Sequence, residues 1–342
     1  MRRKSIVGES IVVSALLMAA LFLLPLTAVA PFRGVVVPPV ESPMEPPVET
    51  EEEPVRSVSE DGEQMLRVLR EDAVEEMDLS RYLMGVVRAE MPASFPQEAL
   101  KAQAVAARTY TLYKLRSGGN HSGMADLCTD HTCCQAWLDA EQARENWGEE
   151  TDAYERKVEE AVRATDGQAI LYEGEPILAV FHSSSAGLTR AAGDVWQSDL
   201  PYLRAVDSPE GGEDVPNYYS RVEFTAEAFR KTVLAAIPEA KLSGDAAGWL
   251  RNAVTDPAGS VETVEVGGVT VRGSRLRTVL GLRSACFTWE TEGESLVFYV
   301  TGYGHGVGLS QYGAGKMAEE GADYREILTH YYSGATVGPW RA

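Results

Sequence analysis

Glu90 is the acidic side chain of this chain that is best placed for chemistry. It stands at the end of an apolar run, directly before Met91-Pro92, and an alanine-rich segment follows it. Lys101 and Arg108 share one face of that segment if it is helical. A carboxyl group held between an apolar wall and a basic helix face is a candidate general acid or base. Capping a helix or facing solvent is the commoner role of a glutamate at such a position.

The alanine-rich segment carries the signals of a helix from about residue 96 to residue 116. Ser94 can cap it, Pro96 suits its first turn, and Glu98 favours its positive end. Helical and strand patterns elsewhere do not alternate as in a parallel βαβ repeat, which predicts a single mixed α+β domain over 64–342. The patterns predict strands at 65–74, 261–271 and 296–302, a hairpin of 168–172 with 176–181, and helices at 79–87, 150–164, 224–254, 310–320 and 324–332.

A cluster of potential metal ligands follows this helix. Its members are His121, Cys128, His131, Cys133 and Cys134. Zinc takes about four nitrogen or sulfur donors in a tetrahedron, and a short loop can supply them. Disulfide bonds are the alternative in an exported protein, and Cys286 could join one. Adjacent cysteines rarely bond to each other, so a disulfide scheme leaves at least one thiol over.

Three segments, in this order, carry a family resemblance. The first is 85–110, which contains Glu90; the second is 181–189 with its continuation 201–207; the third is the glycine-rich stretch 302–314. Together they resemble the SpoIID/LytB domain of the stage II sporulation protein D family, from about residue 64 to the end. The resemblance implies a lytic transglycosylase that cleaves peptidoglycan strands already stripped of their stem peptides, leaving 1,6-anhydro-N-acetylmuramic acid ends.

The same resemblance assigns roles to individual residues. Glu90 would be the catalytic acid and base. It suggests that Ser183, Ser185 and Thr189 face the cleft and bind the glycan. The residue types and their positions add Lys101, Arg108, Tyr202, His305 and Gln311 as expected glycan-binding residues, with a histidine satisfied in a glycine turn and a core tyrosine as the alternatives for His305 and Tyr202. Family members with a zinc site in the cysteine loop imply His121, Cys128, Cys133 and Cys134 as ligands, with His131 as the alternate. Four protein ligands would make this zinc structural, and the chemistry would need no cofactor.

The N-terminal residues predict a membrane anchor. Residues 2–4 are basic, and an apolar run over 10–30, interrupted only by Pro25, is long enough to span a bilayer. We therefore expect 1–9 to be a cytoplasmic tail and the remainder to lie outside the cytoplasm. A cleaved signal peptide is the alternative, because Ala28-Val29-Ala30 resembles a cleavage site. Residues 31–63 are rich in proline and glutamate, which predicts an extended linker.

The partners follow from charge and from the resemblance. A net charge of −20 argues against nucleic acid as a partner. The resemblance implies a place in the mother-cell membrane during engulfment, alongside the amidase P and the membrane protein M of the same sporulation stage. A glycan-binding scaffold or amidase enhancer is the main alternative, and it would tolerate loss of Glu90. A zinc hydrolase would need an open metal position and is disfavoured, because the chain has few histidines and no H-E-x-x-H pattern.

Overall fold

The computed structural model describes residues 59–118, 121, 123–196 and 198–341. The predicted tail (1–9), anchor (10–30) and most of the linker (31–63) lie outside these residues. Within them, no helix is both long enough and apolar enough to cross a membrane.

The described chain has the predicted mixed α+β architecture. Its helices are α1 (Glu60–Glu63), α2 (Leu79–Glu90), α3 (Gln97–Arg116), α4 (Ala140–Trp147), α5 (Thr151–Arg163), α6 (Ala192–Val195), α7 (Ala226–Ala236), α8 (Gly273–Leu280), α9 (Gln311–Glu319) and α10 (Tyr324–Tyr331). Its strands are β1 (Met65–Arg70), β2 (Ala73–Asp78), β3 (Leu127–Cys128), β4 (Gln168–Tyr172), β5 (Glu175–Pro176), β6 (Phe181–His182), β7 (Tyr219–Thr225), β8 (Leu250–Thr255), β9 (Val261–Val266), β10 (Val269–Arg272), β11 (Phe287–Glu292), β12 (Ser295–Thr301), β13 (Leu309–Ser310) and β14 (Thr336–Pro339).

Small sheets, rather than one large one, hold these strands together. Their strand orders are β2-β1-β3, β14-β4-β5, β10-β9-β8, β11-β12-β7 and β13-β6. The pairs β1·β3 and β6·β13 are parallel, and the other pairs are antiparallel. The β6·β13 pair matters most for function, because it joins the predicted second and third motifs side by side.

Helix α3 forms the centre of the larger of two hydrophobic cores, which we call the main core. Its alanines, among them Ala102 and Ala106, are fully buried. Their small side chains let α2, α5, α9, α10 and β4 all pack against it. The N-cap of α3 is Pro96, without a side-chain cap, so the prediction that Ser94 caps this helix was wrong.

A second hydrophobic core lies within residues 219–301, which we call the second lobe. Phe229, Trp249 and Phe298 stack at its centre. The helix predicted over 224–254 was wrong, because only α7 is an α-helix there and β7 and β8 flank it. Likewise, the strand predicted at 65–74 is the β1–β2 hairpin, and the stretch 176–181 holds only the last residue of β5 and the first residue of β6.

The folded part begins before the predicted boundary at residue 64. Asp61, in α1, is buried and forms a salt bridge with the fully buried Arg108, at 2.6 Å between Oδ2 and Nη2. Arg108 also donates to the backbone carbonyls of Val162 and Gln168. The linker therefore does not extend to residue 63, and Arg108 is part of the core.

Candidate active site

A cleft of about 510 Å³ lies between the main core and the second lobe. This volume is typical of a ligand site. The cleft brings together four of the predicted residues: Glu90, Ser183, His305 and Gln311. Among the described residues, Glu90 is the only carboxylic acid that lines it.

Helix α2 positions Glu90. Asp78 caps the helix by accepting a hydrogen bond from the Arg81 amide, and Leu83 and Val87 bury its apolar face. The helix ends at Glu90, two residues before Pro92, because the residue preceding a proline disfavours helical geometry. The Glu90 side chain is thus presented at a rigid helix end.

The segment after the cysteine loop contacts the Glu90 carboxyl. The Ala136 amide donates a hydrogen bond to Oε1 of Glu90 at 3.0 Å. The next residue, Trp137, packs so closely on Gly85 that a Cβ there would lie 2.0 Å from the indole Nε1. Gly85 is therefore required for this close approach.

Burial raises the pKa of Glu90 above its ordinary value. The Ala136 amide, the Gln311 side chain and His131 lower it in part, because each stabilises the carboxylate. The net direction is upward, so the acid holds its proton to a higher pH than an exposed glutamate does. This is the behaviour required of a general acid.

Two histidines line the opposite part of the cleft. Nδ1 of His182 lies 3.2 Å from the Val307 carbonyl oxygen, so it carries the proton and donates. His305 accepts at Nδ1 from the Val307 amide, at 3.1 Å. Burial lowers the pKa of His182 to about 4 and, with His182 and Arg277 nearby, that of His305 to about 3. Both rings are therefore neutral near pH 7.

Glycine makes the histidine arrangement possible. Gly304 adopts a φ of 118°, and a Cβ there would lie 2.7 Å from Cβ of His182. The glycine-rich stretch therefore serves to bring two backbone segments together. His305 also contacts Trp196, with ring centroids 5.4 Å apart.

Other predicted substrate-binding residues lie away from the cleft. Arg108 has no exposed surface and is paired with Asp61, so the expectation that it contacts the glycan is corrected. Lys101 pairs with Glu98 at 2.6 Å. Ser185, Thr189 and Tyr202 are buried, and their hydroxyl groups bond inside the protein, to Glu210, to the Val206 amide and to the Leu178 amide respectively.

Several cleft residues were not predicted. They are Tyr110, His182, Arg277 and Tyr303, with His131, which sequence reasoning treated only as an alternate metal ligand. His182 and Tyr303 lie inside the second and third motifs and adjoin predicted residues, which is the signal that could have found them. Nothing local in the sequence marks Arg277, which comes from the second lobe.

The cysteine loop holds four potential metal ligands together. The ligand atoms of His121, Cys128, Cys133 and Cys134 lie within 4.8 Å of one another. Nε2 of His121 is 3.8 Å from the sulfurs of Cys133 and Cys134, and these two sulfurs are 3.8 Å apart. The edge of a tetrahedron with Zn–S bonds of ~2.3 Å is about 3.8 Å, so the donor set and its spacing fit zinc.

The cluster consists of the four predicted ligands. Neither alternative, His131 as a ligand or a disulfide bond, is seen in the described residues. His131 is exposed, points toward Asp130 and lines the cleft instead. No disulfide joins cysteines in the described part of the chain. If a metal binds, these four residues would hold it with no open position, and its contribution would be to fix the loop that carries Ala136.

The fold and the cleft define a protein with one cleft-lining carboxylic acid, among its described residues, that is poised for acid–base chemistry. A family model described as "Stage II sporulation protein" matches residues 69–172, which include Glu90 and the cysteine loop. The chain is 36% identical over 266 residues to stage II sporulation protein D of Bacillus subtilis, covering 78% of this chain and 76% of that protein. The match to the protein of the same name from Bacillus amyloliquefaciens is 36% over 267 residues, covering 78% and 75%.

This chain belongs to the stage II sporulation protein D family. It is also 30% identical over 302 residues to a protein named amidase enhancer from Bacillus subtilis, covering 75% of this chain and 40% of that protein.

Proposed function

We propose that this protein is a membrane-anchored lytic transglycosylase that acts on peptide-stripped peptidoglycan during engulfment. The names of its relatives support a sporulation role connected with the cell wall. The observation that carries the proposal is Glu90, a lone cleft carboxyl whose pKa is raised by burial.

One carboxyl group is sufficient for the reaction. Protonated Glu90 donates to the oxygen that links N-acetylmuramic acid C1 to N-acetylglucosamine, and the C1–O bond breaks with oxocarbenium character at C1. The resulting Glu90 carboxylate then takes the proton of the same sugar's C6 hydroxyl, whose oxygen bonds to C1. Glu90 ends protonated, and no water is consumed.

The absence of a second carboxyl group among the described cleft residues favours this route over hydrolysis. Hydrolysing glycosidases use two carboxyl groups, about 5–9.5 Å apart, one of them as nucleophile or as base for a water molecule. Ser183, Gln311 and His305 would bind sugar hydroxyl and acetamido groups, and the exposed ring of Tyr303 would stack on a sugar face.

The remaining parts of the proposal concern zinc and location. The four-residue cluster would hold a structural zinc ion that fixes the loop before Ala136. Residues 10–30 would anchor the protein in the mother-cell membrane, and the linker would let the domain reach the septal wall. The partners would be the amidase P, which supplies stripped strands, and protein M.

The test is mass spectrometry of peptide-free glycan strands after incubation with residues 31–342. The parent protein should yield anhydro-ended fragments. Glu90→Gln should lower the rate by about 10²–10⁴, because the general acid is lost, while exposed Glu145→Gln on α4 should match the parent. Water-added ends would replace the transglycosylase with a hydrolase.

A glycan-binding scaffold or amidase enhancer is the second candidate, which the similarity to the amidase enhancer favours. It predicts that strands stay intact but bind, and that Glu90→Gln still stimulates an added amidase. Anhydro products that depend on Glu90 would exclude this candidate as the sole function.

A further inference from the structure

Arg277 is a cation at the cleft surface that forms no salt bridge with any residue the structure describes. It lies near the end of α8, in the second lobe, and is the only lysine or arginine among the described residues that line the cleft. Its Nε donates to the carbonyls of Leu282 and Arg283, at 3.2 Å each. These bonds fix the plane of the guanidinium group, and its two terminal nitrogens have no hydrogen-bond partner in the described part of the protein.

The neighbouring charges leave Arg277 without a counter-ion. Arg190, which lies close enough to lower the pKa of Arg277 by repulsion, is itself paired with Asp256 at 2.5 Å. Arg283 stacks on the Tyr303 ring, with its guanidinium carbon 4.1 Å from the ring centroid. Glu90 accepts a hydrogen bond from the Ala136 amide, and no salt bridge joins it to Arg277 among the described residues. A half-buried arginine whose charge is unpaired is costly to desolvate unless a ligand supplies the anion.

The histidines beside Arg277 cannot take the anion themselves. Both are neutral near pH 7, for the reasons given above. His182 donates through Nδ1, so its Nε2, which is buried without a partner, is a lone-pair acceptor. An acceptor there suits a hydroxyl or an acetamido N–H and repels a carboxylate. The part of the cleft away from Glu90 therefore offers one anion-binding group, Arg277, next to one acceptor.

We propose that Arg277 binds the lactyl carboxylate of N-acetylmuramic acid and so makes the cleft selective for strands without stem peptides. This inference rests on the proposed function for the identity of the substrate. The lactyl carboxyl is ionised once the peptide is removed, whereas in a peptide-bearing strand it is an amide with no charge. The two terminal nitrogens of an arginine match the two oxygens of a carboxylate, and an amide loses both the charge and one acceptor.

The test measures binding, so that it does not depend on catalysis. The full chain in detergent, with Glu90→Gln to prevent turnover, is titrated with two preparations of peptide-free strands. One is unmodified, and in the other the lactyl carboxylates are converted to methylamides. We expect the unmodified strands to bind about 10- to 100-fold more tightly, since hydrogen bonds to charged groups contribute about that much.

Variants at position 277 identify the residue responsible. Adding Arg277→Gln should weaken binding of the unmodified strands to the level of the methylamide strands, and Arg277→Lys should restore part of the difference. The matched control is Arg275→Gln, two residues away on the same helix, which is exposed and bonds to the Ala236 carbonyl. Arg275→Gln should keep the full difference. Because the two strand preparations are also compared on protein with Arg277 intact, the test does not depend on the variant folding.

Each other outcome overturns the inference. Equal affinity for the two preparations would mean that the carboxylate is not recognised. A difference that persists in Arg277→Gln would place recognition of the carboxylate elsewhere. Failure of the proposed function would show in a different experiment. The parent protein, with Glu90 intact, would then release no anhydro-ended products, whatever the binding data show.

Discussion

The amide of Ala136 donates to Oε1 of Glu90 at 3.0 Å, and Ala136 stands only two residues after Cys134. The loop that gathers the histidine and three cysteines therefore ends at the contact that orients the acid. Leu138 continues the attachment by donating its amide to the Gly85 carbonyl of α2. A structural metal in this loop would act on catalysis indirectly, through the position of one backbone N–H.

Removing the metal ligands should therefore affect stability and activity together. We expect about one zinc ion per chain in the purified protein, and loss of it in Cys134→Ser. The variant should unfold at a lower temperature and lose activity, because the loop before Ala136 is no longer held. Elemental analysis and thermal unfolding measure both effects. Cys286→Ser, in the second lobe, should retain zinc, and a parent protein without bound metal would refute the assignment.

Gly85→Ala tests whether the packing of Trp137 on Gly85 holds the Ala136 amide in place against Glu90. The added methyl group would overlap Trp137 and displace the segment that carries Ala136. Such overpacking typically costs about 1–3 kcal/mol of unfolding free energy. Activity should fall further than stability alone explains, because the hydrogen bond to Glu90 is lost. Gly338→Ala, where nothing lies within 4 Å of the new Cβ, is the matched control. Parent-like activity in Gly85→Ala would mean that the contact between Gly85 and Trp137 does not position Glu90.

The pH profile should reflect the raised pKa of Glu90. The acid step needs the protonated form, so kcat/KM should fall as pH rises through that pKa, with a midpoint above that of an exposed glutamate. Gln311→Leu removes a polar side chain that lowers the pKa of Glu90 by stabilising its carboxylate, so it should move the falling limb to higher pH. A limb that moves to lower pH in Gln311→Leu would contradict the arrangement.

The buried Asp61–Arg108 pair should be a determinant of stability and not of glycan binding. Asp61→Ala leaves the Arg108 charge buried without its partner, which typically costs about 3–5 kcal/mol. Glu160→Ala, which breaks the exposed pair with Arg163, should cost about 1 kcal/mol or less. Denaturant unfolding measures both. Glycan affinity in the folded Asp61→Ala protein should match the parent, and a large loss there would return Arg108 to the binding site.

Much of the site could be predicted from local sequence. Glu90, the four metal ligands, and the cleft residues Ser183, His305 and Gln311 all lie within compact motifs whose spacing or resemblance marked them. Glu90 is the clearest case, because the helix before it and the proline after it are both visible in the sequence.

The errors have a common physical origin in contacts between distant residues. The charge of Arg108 suggested a ligand, but its partner Asp61 lies in a segment whose composition predicted a linker. Arg277 enters the cleft only because the second lobe folds back toward the main core. In the same way, the alternating burial of β7 depends on its pairing with the distant strand β12, and β8 is exposed along most of its length and carries no alternating apolar pattern.

The second lobe begins and ends at neighbouring points of the fold. Tyr219 pairs with Thr301, and the amide of Gly302 bonds to the Tyr218 carbonyl, so the chain leaves the main core and returns to it side by side. A change in the length or sequence of the lobe therefore need not reroute the chain through the main core. The acid and the proposed reader of the glycan's charge stand on separately variable parts of one chain.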